Sequence, residues 1–227
     1  MSHRKLLLWD LDETLVSTDG AGERSFERAA KTAFGVDVSL SEIDYSGRTD
    51  SFIGTLVQRY CGVPEDDGKL EQFLADFLHF LSEELPRGNP CILPGVEQLT
   101  SMVLDSSEFA QGLLTGNLAA GAEMKLRYFG LWERFSFGAF ADDAREREHL
   151  GPIALERAAV LHETNFSSDR TIVIGDTVHD VACARAFGAC SLAVASGKST
   201  VNQLLAAGAD CAVKSLEDDM AQDFIGI

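Results

Sequence analysis

The sequence predicts an α/β protein: a doubly wound parallel sheet with a small all-helical insert after the first strand. Three observations carry this. Short continuous apolar runs at 6–9, 109–114, 171–174 and 191–195 have the length and composition of strands buried on both faces. From 94 onward, helical patterns alternate with these runs, the rhythm of a parallel sheet covered on both sides. Between 17 and 90 there are helical patterns and no convincing strand, bracketed by two turn-rich links, which reads as an insert hinged onto the α/β unit. The expected division is 1–16 with 91–227 as the core and 17–90 as the insert.

The elements follow in order. Leu6, Leu7, Leu8 and Trp9 form the first strand and run straight into Asp10-Leu11-Asp12-Glu13-Thr14. Carboxylates are too costly to bury unpaired, so Asp10 and Asp12 belong where the strand opens to solvent. Two carboxylates so spaced can share a divalent cation or divide nucleophile and acid/base roles. Residues 17–22 are a flexible link. A helix over 23–34 follows from Phe26, Ala29, Ala30 and Ala33, with Gly35 as its stop. Residues 36–48 are polar and irregular. Thr49 or Asp50 caps a helix to about 60, and 64–68 is a turn. Leu70, Phe73, Leu74, Phe77, Leu78 and Leu81 stripe a helix over 67–85, and 86–90 is the second link.

Beyond it come a helix at 95–104, the strand at 109–114 ending in Thr115-Gly116-Asn117, and a helix at 118–129 stopped by Gly130. A short strand at 135–141 ends in Asp142-Asp143. A helix at 151–162 precedes the strand at 171–174, which ends in Gly175-Asp176-Thr177. A helix at 178–187 closed by Gly188, the strand at 191–195, a helix at 199–206 and a strand at 211–213 complete the pattern. The acidic tail, 217–227, is a short helix or frays.

Composition bounds the function. The chain of 227 residues is 45% hydrophobic and 24% charged, ordinary for a globular protein, with a net charge of −17. That charge argues against a nucleic-acid backbone or an anionic membrane surface as partner. Any anionic substrate must be held by local cations against the global field. Five cysteines (Cys61, Cys91, Cys183, Cys190, Cys211) are scattered without pattern and read as reduced, small buried hydrophobes of a cytoplasmic protein. The basic residues at the start are followed by only four apolar ones before Asp10, too few for a signal-peptide core, and no apolar run is long enough to span a membrane. A monomer or homodimer is expected.

Three strands therefore end in polar clusters: Asp10 with Asp12, Thr115-Gly116-Asn117, and Asp176-Thr177 with Asp180. If the strands are parallel neighbours, the clusters converge on one edge, where doubly wound sheets bind ligands. In order and spacing the sequence resembles the haloacid dehalogenase superfamily, mostly phosphatases. Asp10-Leu11-Asp12-Glu13-Thr14 matches its first motif, and Leu113-Leu114-Thr115-Gly116-Asn117 its second. Gly175-Asp176-Thr177-Val178-His179-Asp180 matches its fourth. The insert sits at the position of that family's first cap class, and the resemblance covers essentially the whole chain.

The resemblance implies a Rossmann-like core and a phosphatase acting on a small phosphate ester with Mg²⁺. Asp10 would be the nucleophile, forming an aspartyl-phosphate, and Asp12 the acid/base. Mg²⁺ would be held by Asp10, the Asp12 carbonyl and Asp176. Asp180 would bind metal, directly or through water, or cap its helix. Thr115 and the amides of Gly116 and Asn117 would hold phosphate oxygens at a helix N-terminus; the plainer role for Thr115 is a helix cap.

The sequence departs from the family at the third motif. Where a Lys is expected, the chain reads Asp142-Asp143-Ala144-Arg145-Glu146-Arg147-Glu148-His149. A cation is needed to balance the carboxylates and the phosphate. Arg147 is nearest in sequence. Lys125 is favoured, because helical side chains lean back toward the N-terminus and could bring it to the site. Arg48, in Gly47-Arg48-Thr49-Asp50, is the candidate reader of a second anionic group on the substrate. Phe26, Tyr45 and Phe52 are assigned to the insert's own core, and His179 to no catalytic role. Competing activities are a phosphosugar mutase using the same aspartates, a metal-independent 2-haloacid dehalogenase (against which Asp12 counts), and a non-catalytic binding module on the same fold.

Overall fold

A computed structural model describes residues 4–65 and 67–227. The basic start of the chain (Met1, Ser2, His3) and Asp66 within the expected 64–68 turn lie outside the described residues. The elements are β1 (Lys5–Trp9), β2 (Val16–Ser17), α1 (Ala21–Phe34), α2 (Asp50–Tyr60), α3 (Asp67–Glu84), β3 (Cys91–Ile92), α4 (Val96–Asp105), β4 (Phe109–Leu114), α5 (Ala119–Tyr128), β5 (Gly138–Ala139), α6 (Leu150–Leu161), β6 (Thr171–Gly175), α7 (Val178–Ala186), β7 (Cys190–Val194), α8 (Val201–Ala206), β8 (Cys211–Val213) and α9 (Asp219–Ile225). Six strands pair in the order β5-β4-β1-β6-β7-β8, every ladder parallel.

β1 is central because its residues are apolar on both faces. Leu7 and Trp9 join one cluster with Val96, Leu99, Leu113 and Leu126. Leu6 and Leu8 join the opposite one with Leu150, Ala154, Ala158 and Val173. The four apolar side chains of β1, Leu6 to Trp9, are fully buried, each contributing about 1.5–3 kcal/mol relative to exposure. From β1 the chain builds outward through β4 and β5, then crosses back to β6 on the other flank of β1 and continues to β8. The order reverses beside β1, so the crevice for a ligand opens over its carboxyl end.

The helices of the 17–90 region pack on one another. Phe26, Ala29, Ala30, Ile53, Val57, Phe73, Phe77 and Leu81 form their own buried cluster, joined by Leu118 and Ala141 from the sheet side. Phe26 stacks on Phe77 with centroids 4.0 Å apart.

Several expectations need correction. The helix expected from 23 starts at Ala21, because Gly20 takes a left-handed conformation (φ 77°) that ends the link early. Residues at both junctions, expected as loose links, pair as a short antiparallel ribbon, Val16 with Ile92 and Ser17 with Cys91. The 135–141 strand shrinks to Gly138–Ala139. It lies at the sheet edge with only β4 beside it, and the chain turns away where Phe140 N donates to Asp143 (2.9 Å). The tail is helical. All five cysteines are free thiols, but only Cys183 and Cys211 are buried; Cys61 and Cys190 are half-buried and Cys91, on the ribbon, is exposed. Among the described residues no helix is long and apolar enough to cross a membrane.

Candidate active site

Asp10 sits one residue past β1, its amide still bonded to Ile174 O at 2.8 Å, so its position is set by the sheet. The chain then reverses tightly, with Leu15 N and Val16 N both donating to Leu11 O (2.9 and 3.1 Å) and Glu13 at φ 55°. That reversal presents Asp10 and Asp12 over the sheet and returns the chain to the ribbon.

Each aspartate is held by its own buried cation. Arg147 Nη2 lies 3.0 Å from Asp10 Oδ1 and makes a closer ion pair with Asp180. Its Nη1 donates to Gly47 O at 3.1 Å. Lys125 Nζ donates to both Asp12 oxygens, at 2.8 and 2.6 Å, and to Asn117 Oδ1 at 2.7 Å. The expectation of one balancing cation, with Lys125 favoured, becomes two cations with separate partners. Lys125 does reach back along α5 to the site, but it is Arg147 that contacts Asp10.

Asn117 extends the network. Its Nδ2 donates to Asp12 Oδ2 and to Thr115 Oγ1, both at 2.9 Å, and its amide donates to Thr115 Oγ1 at 3.3 Å. Thr115 therefore organises Asn117 and does not cap α5, whose N-cap is Leu118. The Asn117 amide, expected to hold phosphate, is already engaged. Gly116 N has no acceptor among the described residues.

Asp176 and Asp180 flank the end of β6. Asp180 Oδ2 accepts from Thr177 N and Oγ1 (3.0 and 2.7 Å), a capping box for α7. With its other oxygen on Arg147, Asp180 has both oxygens hydrogen-bonded. Asp176 makes no hydrogen bond or ion pair among the described residues. Asp10, Asp176 and Asp180 place one ligand oxygen each within 4.8 Å of one another, all buried. Burial, then repulsion from Asp180 and Asp10, pushes the Asp176 carboxyl up to about 9. Burial pushes Asp10 to about 6 against the pull of Arg147. Burial works against the Arg147 charge too, but Asp10 and Asp180 more than restore it. Crowded oxygen donors, one with no ion-pair partner among the described residues, suit a hard divalent cation. A Cβ on Gly197 would meet Asp176 Oδ2, so a larger residue there would push that carboxylate aside.

The loop from Gly47 to Asp50 seats against this cluster. Asp50 N donates to Gly116 O at 2.7 Å, Leu118 N to Asp50 Oδ2 at 2.8 Å, and Thr49 Oγ1 to Arg145 O. Thr49 also caps α2 by accepting from Phe52 N. Arg48 turns back to Asp44 (3.0 Å) and lies over the Phe52 ring at 4.7 Å. His179 packs against Gly47, near enough to Arg147 and Asp180 for their charges to act on its ring.

Together these segments enclose a cavity of about 370 Å³ that contains Asp10, Asp12, Lys125, Arg147 and Asp176 in its wall, with Arg48 at its edge. Phe26 and Tyr45, expected only in the insert's core, line it as well, as do Glu23 and Lys198. Lys198 carries a legible signal: it follows β7, and the strand-end rule that singled out Asp10 and Asp176 applies equally there. Asp50 was readable only as a helix cap; its second contact, with α5, is tertiary.

The chain is similar to known proteins along most of its length. The model of the family described as Haloacid dehalogenase-like hydrolase matches residues 7–194. The protein named Probable phosphatase IndB from Dickeya dadantii (strain 3937) is 26% identical over 212 residues, covering 90% of this chain and 86% of the relative. Among solved structures, a hydrolase from Pseudomonas syringae superposes with a TM-score of 0.77 at 20% identity, covering 97% of this chain and 98% of that one. CbbY from Rhodobacter sphaeroides in complex with phosphate gives 0.76 at 18% identity, covering 95% and 96%. At these identities the structures speak to the fold.

Proposed function

The chain belongs to the haloacid dehalogenase-like hydrolases, and from that premise we propose that it is a Mg²⁺-dependent phosphatase acting through an aspartyl-phosphate. The observation that carries this reading is the separate pairing of the two first-loop aspartates, Asp10 with Arg147 and Asp12 with Lys125 and Asn117. One site thus holds two carboxylates in different environments, the arrangement that divides nucleophile from acid/base.

Asp10 attacks phosphorus as the ester oxygen leaves, and Asp12 delivers the proton to that oxygen. Asp12 then takes a proton from the water that attacks the aspartyl-phosphate, releasing phosphate and restoring Asp10. Lys125 and Asn117 keep Asp12 aimed at the leaving group. Arg147 fixes one Asp10 oxygen and is itself oriented by Asp180. Asp10, Asp176 and the Asp12 carbonyl would hold Mg²⁺, which when bound neutralises charge on the phosphoryl group. In this reading Asp180 is a positioning residue, both its oxygens being committed. Gly116 N offers a donor to the phosphate. The 17–90 helices act as a cap that closes over the cavity and excludes water.

Phosphate release from a panel of monoesters with Mg²⁺ tests the reading. Asp10→Asn should fall to background and Asp12→Asn should lose about 10²–10⁴-fold in kcat, and a chelator should abolish release. Activity retained by Asp10→Asn, or insensitive to the chelator, would overturn it. Conversion of a hexose phosphate to an isomer without free phosphate would point to a mutase.

A further inference from the structure

We infer that Glu23, Tyr45 and Lys198 form the subsite that reads the leaving group, and that this subsite takes an uncharged, hydroxyl-rich body in preference to one bearing a second anionic group. The inference rests on the phosphatase reading and names its substrate class. The three residues come from both sides of the seam between cap and core: Glu23 from the first turn of α1, Tyr45 from the loop before α2, and Lys198 from the loop after β7. All three line the cavity that contains Asp10 and Asp12.

They form one network. Lys198 Nζ donates to Tyr45 Oη at 2.8 Å, Tyr45 Oη donates to Glu23 Oε1, and Lys198 Nζ lies 3.6 Å from that same oxygen. Each end has capacity left. An ammonium carries three N–H donors and a carboxylate two acceptor oxygens, and Glu23 Oε2 accepts no hydrogen bond among the described residues. A ligand hydroxyl, donor and acceptor at once, completes both: it donates to Glu23 Oε2 and accepts from Lys198.

Charge decides between substrate classes. On this part of the wall Lys198 is matched by Glu23, and Arg48 is matched by Asp44 and stacked on Phe52. Both of these cations are thus already paired with a carboxylate. A second phosphate or a carboxylate would meet Glu23 directly, and opposed like charges are a strong device for rejecting a ligand. This revises the expectation that Arg48 holds a second anion. Phe26, Leu40, Ile53 and Phe77 supply an apolar wall for the C–H face of the body. A cavity of about 370 Å³ lies in the lower part of the usual range for small-ligand pockets.

The experiment compares kcat/KM for ribose 5-phosphate, 2-phosphoglycolate, fructose 1,6-bisphosphate and p-nitrophenyl phosphate in wild type, Glu23→Gln and Lys198→Met, all with Mg²⁺. Wild type should favour ribose 5-phosphate over the two acidic esters by at least about tenfold. In each variant the ratio of kcat/KM for ribose 5-phosphate to that for p-nitrophenyl phosphate should fall about tenfold, carried by KM, as expected for one lost charge-assisted hydrogen bond. Glu23→Gln should also narrow the discrimination against the bisphosphate. Preference of wild type for either acidic ester, or an unchanged ratio in both variants, overturns the subsite while leaving the phosphatase reading intact. No release from any ester, p-nitrophenyl phosphate included, overturns the phosphatase reading itself.

Discussion

At the scale of single residues, Asp176 is the least compensated group in the site. Its carboxyl is raised to about 9 by burial and by the neighbouring Asp180 and Asp10. A carboxyl whose folded value exceeds its unfolded one stabilises the fold while protonated. That stability is present at low pH and is lost as pH rises from about 4 toward 9. A divalent cation must displace this proton, so its apparent affinity rises over the same window. Mg²⁺ should therefore raise Tm more at pH 8 than at pH 6, and Asp176→Asn should shrink the difference to the smaller part that Asp10 contributes. Equal gains at the two pH values would contradict this. Asp10, Asp12 and Asp176 were legible in the sequence because a carboxylate after a buried apolar run has only one tolerable place, the strand's open end. The pairing of Arg147 with Asp10 was not. Arg147 and Lys125 both balance charge, and only the crossover geometry decides which carboxylate each meets.

At the scale of elements, the start of α2 is where the helical cap meets the core. Asp50 contributes both its amide and its carboxylate to the contact, bonding Gly116 O and Leu118 N. Burial raises its carboxyl to about 7, Lys125 opposing. By the same linkage the fold loses stability from Asp50 as pH climbs from about 4 to 7. Asn at this position keeps an acceptor for Leu118 N and carries no charge. Asp50→Asn should thus be more stable than wild type at pH 8, by on the order of 2 kcal/mol, with the gap closing near pH 4. Urea unfolding at the two pH values measures it, and an equal gap at both would contradict it. The helices were legible from their periodic apolar stripes and from caps such as Thr49. The β2–β3 ribbon was not, because a two-residue strand has no period. The 135–141 strand was read too long because Phe135, Phe137 and Phe140 are apolar for packing, not for ladder pairing.

At the scale of the molecule, the proposed closure of cap on core depends on how near two backbones approach. A Cβ on Gly116 would overlap the carbonyl oxygen of Arg48, and neither backbone group can swing aside as a side chain can. Gly116→Ala should therefore keep the core fold, with little change in Tm, yet lower kcat/KM by at least about tenfold by holding the cap off its seat. Small-angle scattering should show a more extended particle; an unchanged profile with full activity would contradict this. The alternating pattern made the parallel sheet legible, but not the order β5-β4-β1-β6-β7-β8, which depends on which flank of β1 each crossover takes.

The ribbon of β2 and β3 has a mechanical consequence. The chain passes between core and cap twice, and the two crossings are bonded to one another, Val16 to Ile92 and Ser17 to Cys91. Two separate tethers would let the cap wander and rotate freely. Two tethers laced into a strip bend readily across the strip but resist shear and twist. In the closure proposed above, this strip would guide the cap along one arc, like a door on a single leaf. Each such return would bring Tyr45 and Glu23 back to the same station opposite Lys198.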